Sequence, residues 1–165
     1  MIMATINDQL RDEAISHALY VARYGVGAAR KMVRILDEAD SRLAAELLEV
    51  LDGVDAATWS ERRLASLLAS VRRLNRKAYK TATEALKAEL VTYAEHEAGY
   101  QLDLFNQLLP ETVLRHVELQ ALTPDQVYAA AVSKPLQGRL LSEWASKLES
   151  DRMTKITNAV RQGYL

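Results

Sequence analysis

Apolar residues recur along the N-terminal third of the chain at alternating steps of three and four. Ile6, Leu10, Ala14, His17, Val21 and Tyr24 open the stripe, and Met32, Leu36, Ala39, Leu43, Leu47 and Val50 continue it. Such spacing puts these positions on one face of an α-helix. Thr5 precedes the first of them and is a natural N-cap, because its hydroxyl can accept from an orphan backbone N–H. Gly25 and Gly27 sit mid-pattern, where each weakens a helix by ~1 kcal/mol. A single helix, kinked at most, is the expected outcome.

Asp52-Gly53-Val54-Asp55-Ala56-Ala57 has the composition of a turn, and Thr58-Trp59-Ser60-Glu61 after it reads as a capping box. A second stripe then runs through Leu64, Leu67, Val71, Leu74, Ala78, Ala82, Leu86, Leu90, Tyr93, Glu97, Tyr100, Leu104 and Leu108, with no proline before Pro110. From Leu109 to Leu122 the pattern suits either a short helix or an extended segment. Thr123-Pro124-Asp125-Gln126 is a strong helix start, with threonine as cap and proline in the first turn. The short helix it opens should reach Val132. A loop follows over Ser133-Lys134-Pro135-Leu136-Gln137-Gly138, and a last helix carries Leu140, Leu141, Trp144, Leu148, Met153, Ile156 and Val160 toward Gly163. The chain contains no internal repeat and no low-complexity tract.

The composition agrees with this reading. Ala, Leu, Arg, Glu and Lys supply about half of the 165 residues, the share typical of long helices and coiled coils. The predicted fold is therefore all-α: an elongated antiparallel hairpin of two long helices over residues 1–110, and a smaller C-terminal helical segment over 111–165. A net charge of -1 excludes a protein devoted to coating nucleic acid, which needs a strong basic excess, but leaves room for local basic patches. With no cysteine there is no thiol catalysis, disulfide framework or cysteine-based zinc site. No apolar run approaches the ~18 residues of a membrane span, and Met1 to Gln9 lacks the pattern of an export signal. The expectation is a soluble protein with no membrane partner.

Charge is distributed unevenly. Asp37, Glu38, Asp40, Glu46, Glu49, Asp52 and Asp55 form an acidic stretch broken only by Arg42, and Arg62, Arg63, Arg72, Arg73, Arg76, Lys77 and Lys80 form a basic one just across the turn. Folding back at the turn brings acid against base. Farther out the signs reverse, placing Glu84, Glu89, Glu95, Glu97 and Asp103 opposite Arg34, Lys31, Arg30, Arg23 and Arg11. Rim pairs of this kind contribute only tenths of a kcal/mol each, so they select orientation and register. The same seven cations are also the candidate contacts for DNA or a partner protein, although Tyr79 alone among aromatics accompanies them and no base-stacking set is visible.

A helix of about fifty residues rises ~75 Å, whereas a compact globule of this length has a radius of gyration of roughly 15 Å. The remaining residues cannot wrap a straight hairpin of that size. Part of the leucine stripe, Leu36, Leu43, Leu47, Leu67, Leu74, Leu86 and Leu90, is therefore the candidate interface with other chains.

Catalytic and metal hypotheses must pass through His17, His96 and His116, the only histidines. Glu95-His96-Glu97 contains good ligands, but successive helical residues point about 100° apart and cannot close on one ion. The metal-binding spacings His-Glu-x-x-His and Glu-x-x-His do not occur, nor does a Gly-x-Ser-x-Gly elbow or a phosphate-binding glycine loop. No cofactor and no enzymatic activity are expected. Glu97 should meet Arg or Lys across the hairpin, and Trp59 should anchor the hairpin end. Trp144 should pack the final helix onto the rest, while Tyr20, Tyr24, Tyr79, Tyr93 and Tyr100 should line the seam with their hydroxyls in water.

Three passages carry a family resemblance. Asn7-Asp8-Gln9-Leu10-Arg11-Asp12, followed by His17-Ala18-Leu19-Tyr20-Val21-Ala22-Arg23-Tyr24, resembles the N-terminal helix of tailed-bacteriophage head morphogenesis proteins, the minor head proteins. The second helix is similar in kind. Pro135-Leu136-Gln137-Gly138-Arg139-Leu140-Leu141-Ser142-Glu143-Trp144, with Ile156-Thr157-Asn158-Ala159-Val160-Arg161-Gln162-Gly163-Tyr164, resembles the Pro-x-x-Gly, Trp, Ile and basic-before-Gly pattern ahead of that family's C-terminal domain.

The resemblance implies a structural virion protein in few copies, in the head interior or at the portal vertex, and in host cytoplasm during assembly. It would act in head assembly, DNA packaging or DNA ejection, with portal and other head proteins as partners and packaged double-stranded DNA nearby. Family members are longer, so the resemblance also implies a chain that continues beyond Leu165, and it brings no catalytic residues to this region. Two other classes stay open: a generic helical scaffold that self-associates by coiled-coil contacts through Leu36, Leu43, Leu67 and Leu74, and a double-stranded DNA binder using Arg72, Arg73, Arg76, Lys77 and Lys80.

Overall fold

The computed structural model describes residues 5–52 and 61–164, and the described residues form helices and no strands. Helix α1 spans Ile6–Asp52 and α2 spans Glu61–Leu108. Three shorter helices follow: α3 (Glu111–Leu114), α4 (Pro124–Ser133) and α5 (Leu141–Tyr164). The expected turn over 53–57, the capping box from Thr58 and the Trp59 anchor lie outside the described residues.

Local chemistry sets the ends of these helices. Thr5 Oγ1 accepts from the Asp8 backbone N–H at 3.2 Å, while Asp8 Oδ2 accepts from the Thr5 N–H at 3.2 Å, a reciprocal cap that closes two orphan donors. The hydrogen bonds from Thr5 hold the Asp8 carboxyl below its ordinary range. Thr123 and Gln126 repeat the arrangement at α4, with Pro124 in the first turn. Helix α1 runs unbroken through Gly25 and Gly27, and no atom lies within 4 Å of where a Cβ would stand at either, so no close approach calls for them. The ambiguous stretch after Pro110 resolves into one helical turn, α3, followed by non-helical chain up to Thr123.

The chain forms two compact units that divide both long helices. Unit 1 combines the chain up to Arg30 with Lys87–Lys134, and unit 2 combines Lys31–Leu86 with Pro135–Leu165. The expected division at residue 110 is thus replaced by a crosswise one. The reason is that each stretch of α1 packs on the stretch of α2 that returns beside it, and α5 packs on one such stretch.

In unit 1, Tyr24 meets Glu89 and Tyr93, His17 meets Glu97 and Tyr100, and Glu13 meets Tyr100. Residue numbers rise along α1 as they fall along α2, so the two helices are antiparallel. In unit 2 Leu43 of α1 packs with Leu67 and Val71 of α2, and Leu47, Leu74, Met153, Ile156 and Val160 close around that cluster. Three helices therefore share one core.

The cores differ in depth. In unit 2 Leu43, Leu67, Leu68, Val71, Ala78 and Ala82 are buried, together with Asn75. Among the described residues of unit 1, only Ala94 and Ala98 are buried to that degree. A row of rings fills the rest of that seam.

Candidate functional site

The α2 surface of unit 2 carries the main charge feature. Arg72, Arg73, Arg76, Lys77 and Lys80 recur at steps that keep them on one helix face, and with Ala69 they line a single shallow groove. All five are exposed, as are Arg62 and Arg63, between two and three turns upstream of Arg72. Of the described contacts within this set, Arg73 Nη2 donates to Ser70 Oγ at 3.2 Å, Arg76 Nε lies 3.6 Å from Glu149 Oε1, and Lys80 Nζ lies 3.9 Å from Glu84 Oε1. The Arg76 and Lys80 side chains remain 72% and 74% exposed, so these are solvated pairs that leave the cations available.

The opposite face of this stretch of α2 is buried and was only partly anticipated. Asn75, 2% exposed, donates through Nδ2 to the Glu149 carbonyl of α5 at 3.1 Å, while its Oδ1 is buried without a partner. Arg152 of α5 pairs with Asp40 of α1, and its guanidinium lies 5.9 Å from the centre of the Tyr79 ring. Burial lowers the pKa of Arg152 from its ordinary value and raises that of the Tyr79 phenol.

The expected meeting of acid and base across the turn is therefore modified: Asp40 and Arg76 both find partners on α5. The sequence offered one signal for this, the apolar stripe of the last helix, but not the surface on which it would land.

The leucine stripe proposed as an interface requires correction on the same ground. Leu43 and Leu67 are core residues at 7% and 5% exposure, and Leu47 and Leu74 pack against them. Leu36, Leu86 and Leu90 are half-buried. With α5 laid over α1 and α2, the centre of the stripe is covered by its own chain. Exposed aliphatics occur elsewhere: on α1 in unit 1, Ile15, Leu19 and Val26 stand 55%, 54% and 51% exposed.

Trp144 was expected to pack the final helix onto the rest, but its described contacts are local, to the turn that precedes α5, while Met153, Ile156 and Val160 make the packing on α1 and α2. Trp144 Nε1 donates to the Leu136 carbonyl at 2.8 Å, and the Arg139 guanidinium sits 5.6 Å from the ring. Leu136 and Arg139 exchange backbone hydrogen bonds of 2.9 and 3.1 Å around Gln137 and Gly138, both at positive φ (49° and 77°). Positive φ at both central positions is what a tight I′-type turn demands, and glycine meets it without strain.

Unit 1 contains further half-buried titratable groups. His17 Nε2 lies 3.1 Å from Glu97 Oε2, an ion-pair distance without hydrogen-bond alignment, and Gln101 Nε2 donates to Glu97 Oε1 at 2.7 Å. The partner of Glu97 is thus a histidine and not the expected Arg or Lys. Likewise, Arg11 pairs with Asp8 and Asp12 on its own helix. The His17 ring stacks on Tyr100 at 4.4 Å between centroids, and Tyr20 lies 4.6 Å from His96.

Tyr24 departs from the expected wet hydroxyl. It donates to the Glu89 carbonyl at 2.7 Å, with Glu89 Oε2 at 3.0 Å. Burial, then the hydrogen bond to the Glu89 carboxylate, pushes its pKa up to about 12, and burial followed by the charge of Glu97 does the same for Tyr93.

Among the described residues no group of three His, Asp or Glu side chains could hold a metal ion, and no helix is long and apolar enough to cross a membrane. No protein-family model, curated protein or solved structure matches the chain.

Proposed function

We propose that this chain is a structural component of a bacteriophage virion, a minor head protein that acts near the portal in head assembly, DNA packaging or DNA ejection. The reading combines the three resembling sequence passages with one structural observation, the thin core of unit 1 beneath an uncovered aliphatic stripe. Ile15, Leu19 and Val26 follow one another at steps of four and seven along α1, so they share a face. His17, Tyr20 and Tyr24 turn instead toward α2.

Each of the three aliphatics leaves about half its surface in water, and covering it would contribute on the order of 1 kcal/mol per side chain. A face of this kind suits docking onto another protein, in a role that is structural and not enzymatic. The four-and-three steps Ile15, Leu19, Ala22 and Val26 also match a coiled-coil seam, which favours self-association as the second reading.

The test is to mix the chain with assembled portal rings and image the complex. Density for the chain on the ring, abolished by Leu19→Glu with Val26→Glu, supports the portal role. A dimer in isolation without affinity for the ring would replace it with the scaffold reading.

A further inference from the structure

We infer that the exposed basic face of α2, centred on Arg72, Arg73, Arg76, Lys77 and Lys80, binds the phosphate backbone of double-stranded DNA without sequence preference. The inference does not rest on the portal reading, because it uses a different unit and a different face.

Charge density is the first argument. From Arg72 to Lys80 the helix rises about 12 Å at 1.5 Å per residue, so its five cations present about one charge per 2.5 Å. Duplex DNA carries about one phosphate charge per 1.7 Å of axis. Few ligands other than a nucleic-acid backbone offer a line of negative charge this dense. The overall charge of -1 makes the concentration on one face a local property and not a reflection of composition.

The surroundings of the face select among polyanions. A membrane-surface helix flanks its cations with large apolar side chains that enter the lipid; among the described residues, none of the exposed large hydrophobics falls between Arg62 and Lys80. Single strands are gripped by aromatic platforms, whereas Tyr79, the one ring among the described residues from Arg62 to Lys80, is half-buried beside the Arg152 guanidinium. What remains is phosphate contact without stacking or insertion, the mode suited to a duplex.

The anchoring of the face also fits. Asn75, directly between these cations in sequence, is fixed to α5 through the Glu149 carbonyl, so the helix presents its charges from a packed three-helix support. Glu149 and Glu84, which face Arg76 and Lys80 at 3.6 and 3.9 Å, are the acids that phosphate must displace.

The experiment measures binding of the full chain to a labelled mixed-sequence duplex by fluorescence anisotropy across a salt series. Three to five phosphate contacts predict a log K against log salt slope of about -2.7 to -4.5. The triple variant Arg72→Ala, Arg73→Ala, Lys77→Ala should weaken binding about tenfold or more at low salt and flatten the slope by about 2 to 3. The pair Arg72→Lys, Arg73→Lys should keep both, and Arg23→Ala with Arg30→Ala in unit 1 should change neither. Circular dichroism establishes that each variant is folded, and Arg76 is left untouched because it faces Glu149. A slope near zero, a triple variant that binds like the parent, tighter binding to single-stranded DNA, or equal binding to phosphatidylserine vesicles would each overturn the assignment.

Discussion

Replacing Asn75 with leucine removes a polar group from the best-packed part of unit 2, and the structure allows the outcome to be worked out. The side chain is 2% exposed; Nδ2 donates to the Glu149 carbonyl at 3.1 Å, and Oδ1 has no partner. The leucine loses one hydrogen bond, a net contribution of about 1 kcal/mol, and relieves the unpaired oxygen, whose desolvation costs about 1–3 kcal/mol. The Glu149 carbonyl lies inside α5 and keeps its intrahelical donor. Leucine has a similar branched shape and adds apolar contact with the Leu67 and Val71 layer. The balance is a stabilisation of about 1 kcal/mol, read as a rise in Tm of about 2–4 °C for a chain of this size.

Two companion variants separate the lost oxygen from the lost packing. Asn75→Ala also removes the oxygen but leaves a void, and should be less stable than the leucine variant by about 2 kcal/mol. Asn75→Asp keeps the shape, removes the donor and buries a charge facing a carbonyl, at about 3 kcal/mol or more at neutral pH. Its folded-state carboxyl pKa would be raised, so its deficit should shrink as pH falls. Urea unfolding followed by circular dichroism measures all three. A leucine variant more than about 1 kcal/mol less stable than the parent, with the aspartate variant tolerated at neutral pH, would refute the account of Asn75 as a residue that orients α5 at a cost in stability.

Arg152→Met should keep the apolar stem against α2 but lose the Asp40 ion pair and the contact with Tyr79, lowering stability by about 1 kcal/mol; a double-mutant cycle with Asp40→Asn isolates the pair, and a coupling near zero would reject it. Tyr24 and Tyr93 should ionise near pH 12, about two units above ordinary phenols, in an ultraviolet titration. Because the folded state holds these protons more tightly than the unfolded chain, their contribution to stability is complete below about pH 10 and disappears as pH rises from there to 12. Loss of unit 1 structure in that window, delayed in Tyr24→Phe, is the expected result, and ionisation of all tyrosines near pH 10 would contradict it.

The chain's own sequence determined its helices, because the rules that make and end a helix act over four residues or fewer. Thr5 with Asp8 and Thr123 with Gln126 needed nothing distant to form their caps, and the step of three and four carried α1 through two glycines. The packing of α2 back along α1 was legible too, from two long apolar stripes that each need a partner face. Tertiary structure alone decided what covers each apolar face. Periodicity states that Leu43 and Leu67 are on a greasy side, but it is silent on whether another molecule or α5 will lie over it, since that depends on contacts a hundred residues apart. Long separation in sequence likewise hid the partners of Asp40, Arg76 and Glu97, which are Arg152, Glu149 and His17. The basic face was readable in advance as a run of cations, and the fold added that it is exposed and that, among the described residues, no large exposed hydrophobic interrupts it from Arg62 to Lys80.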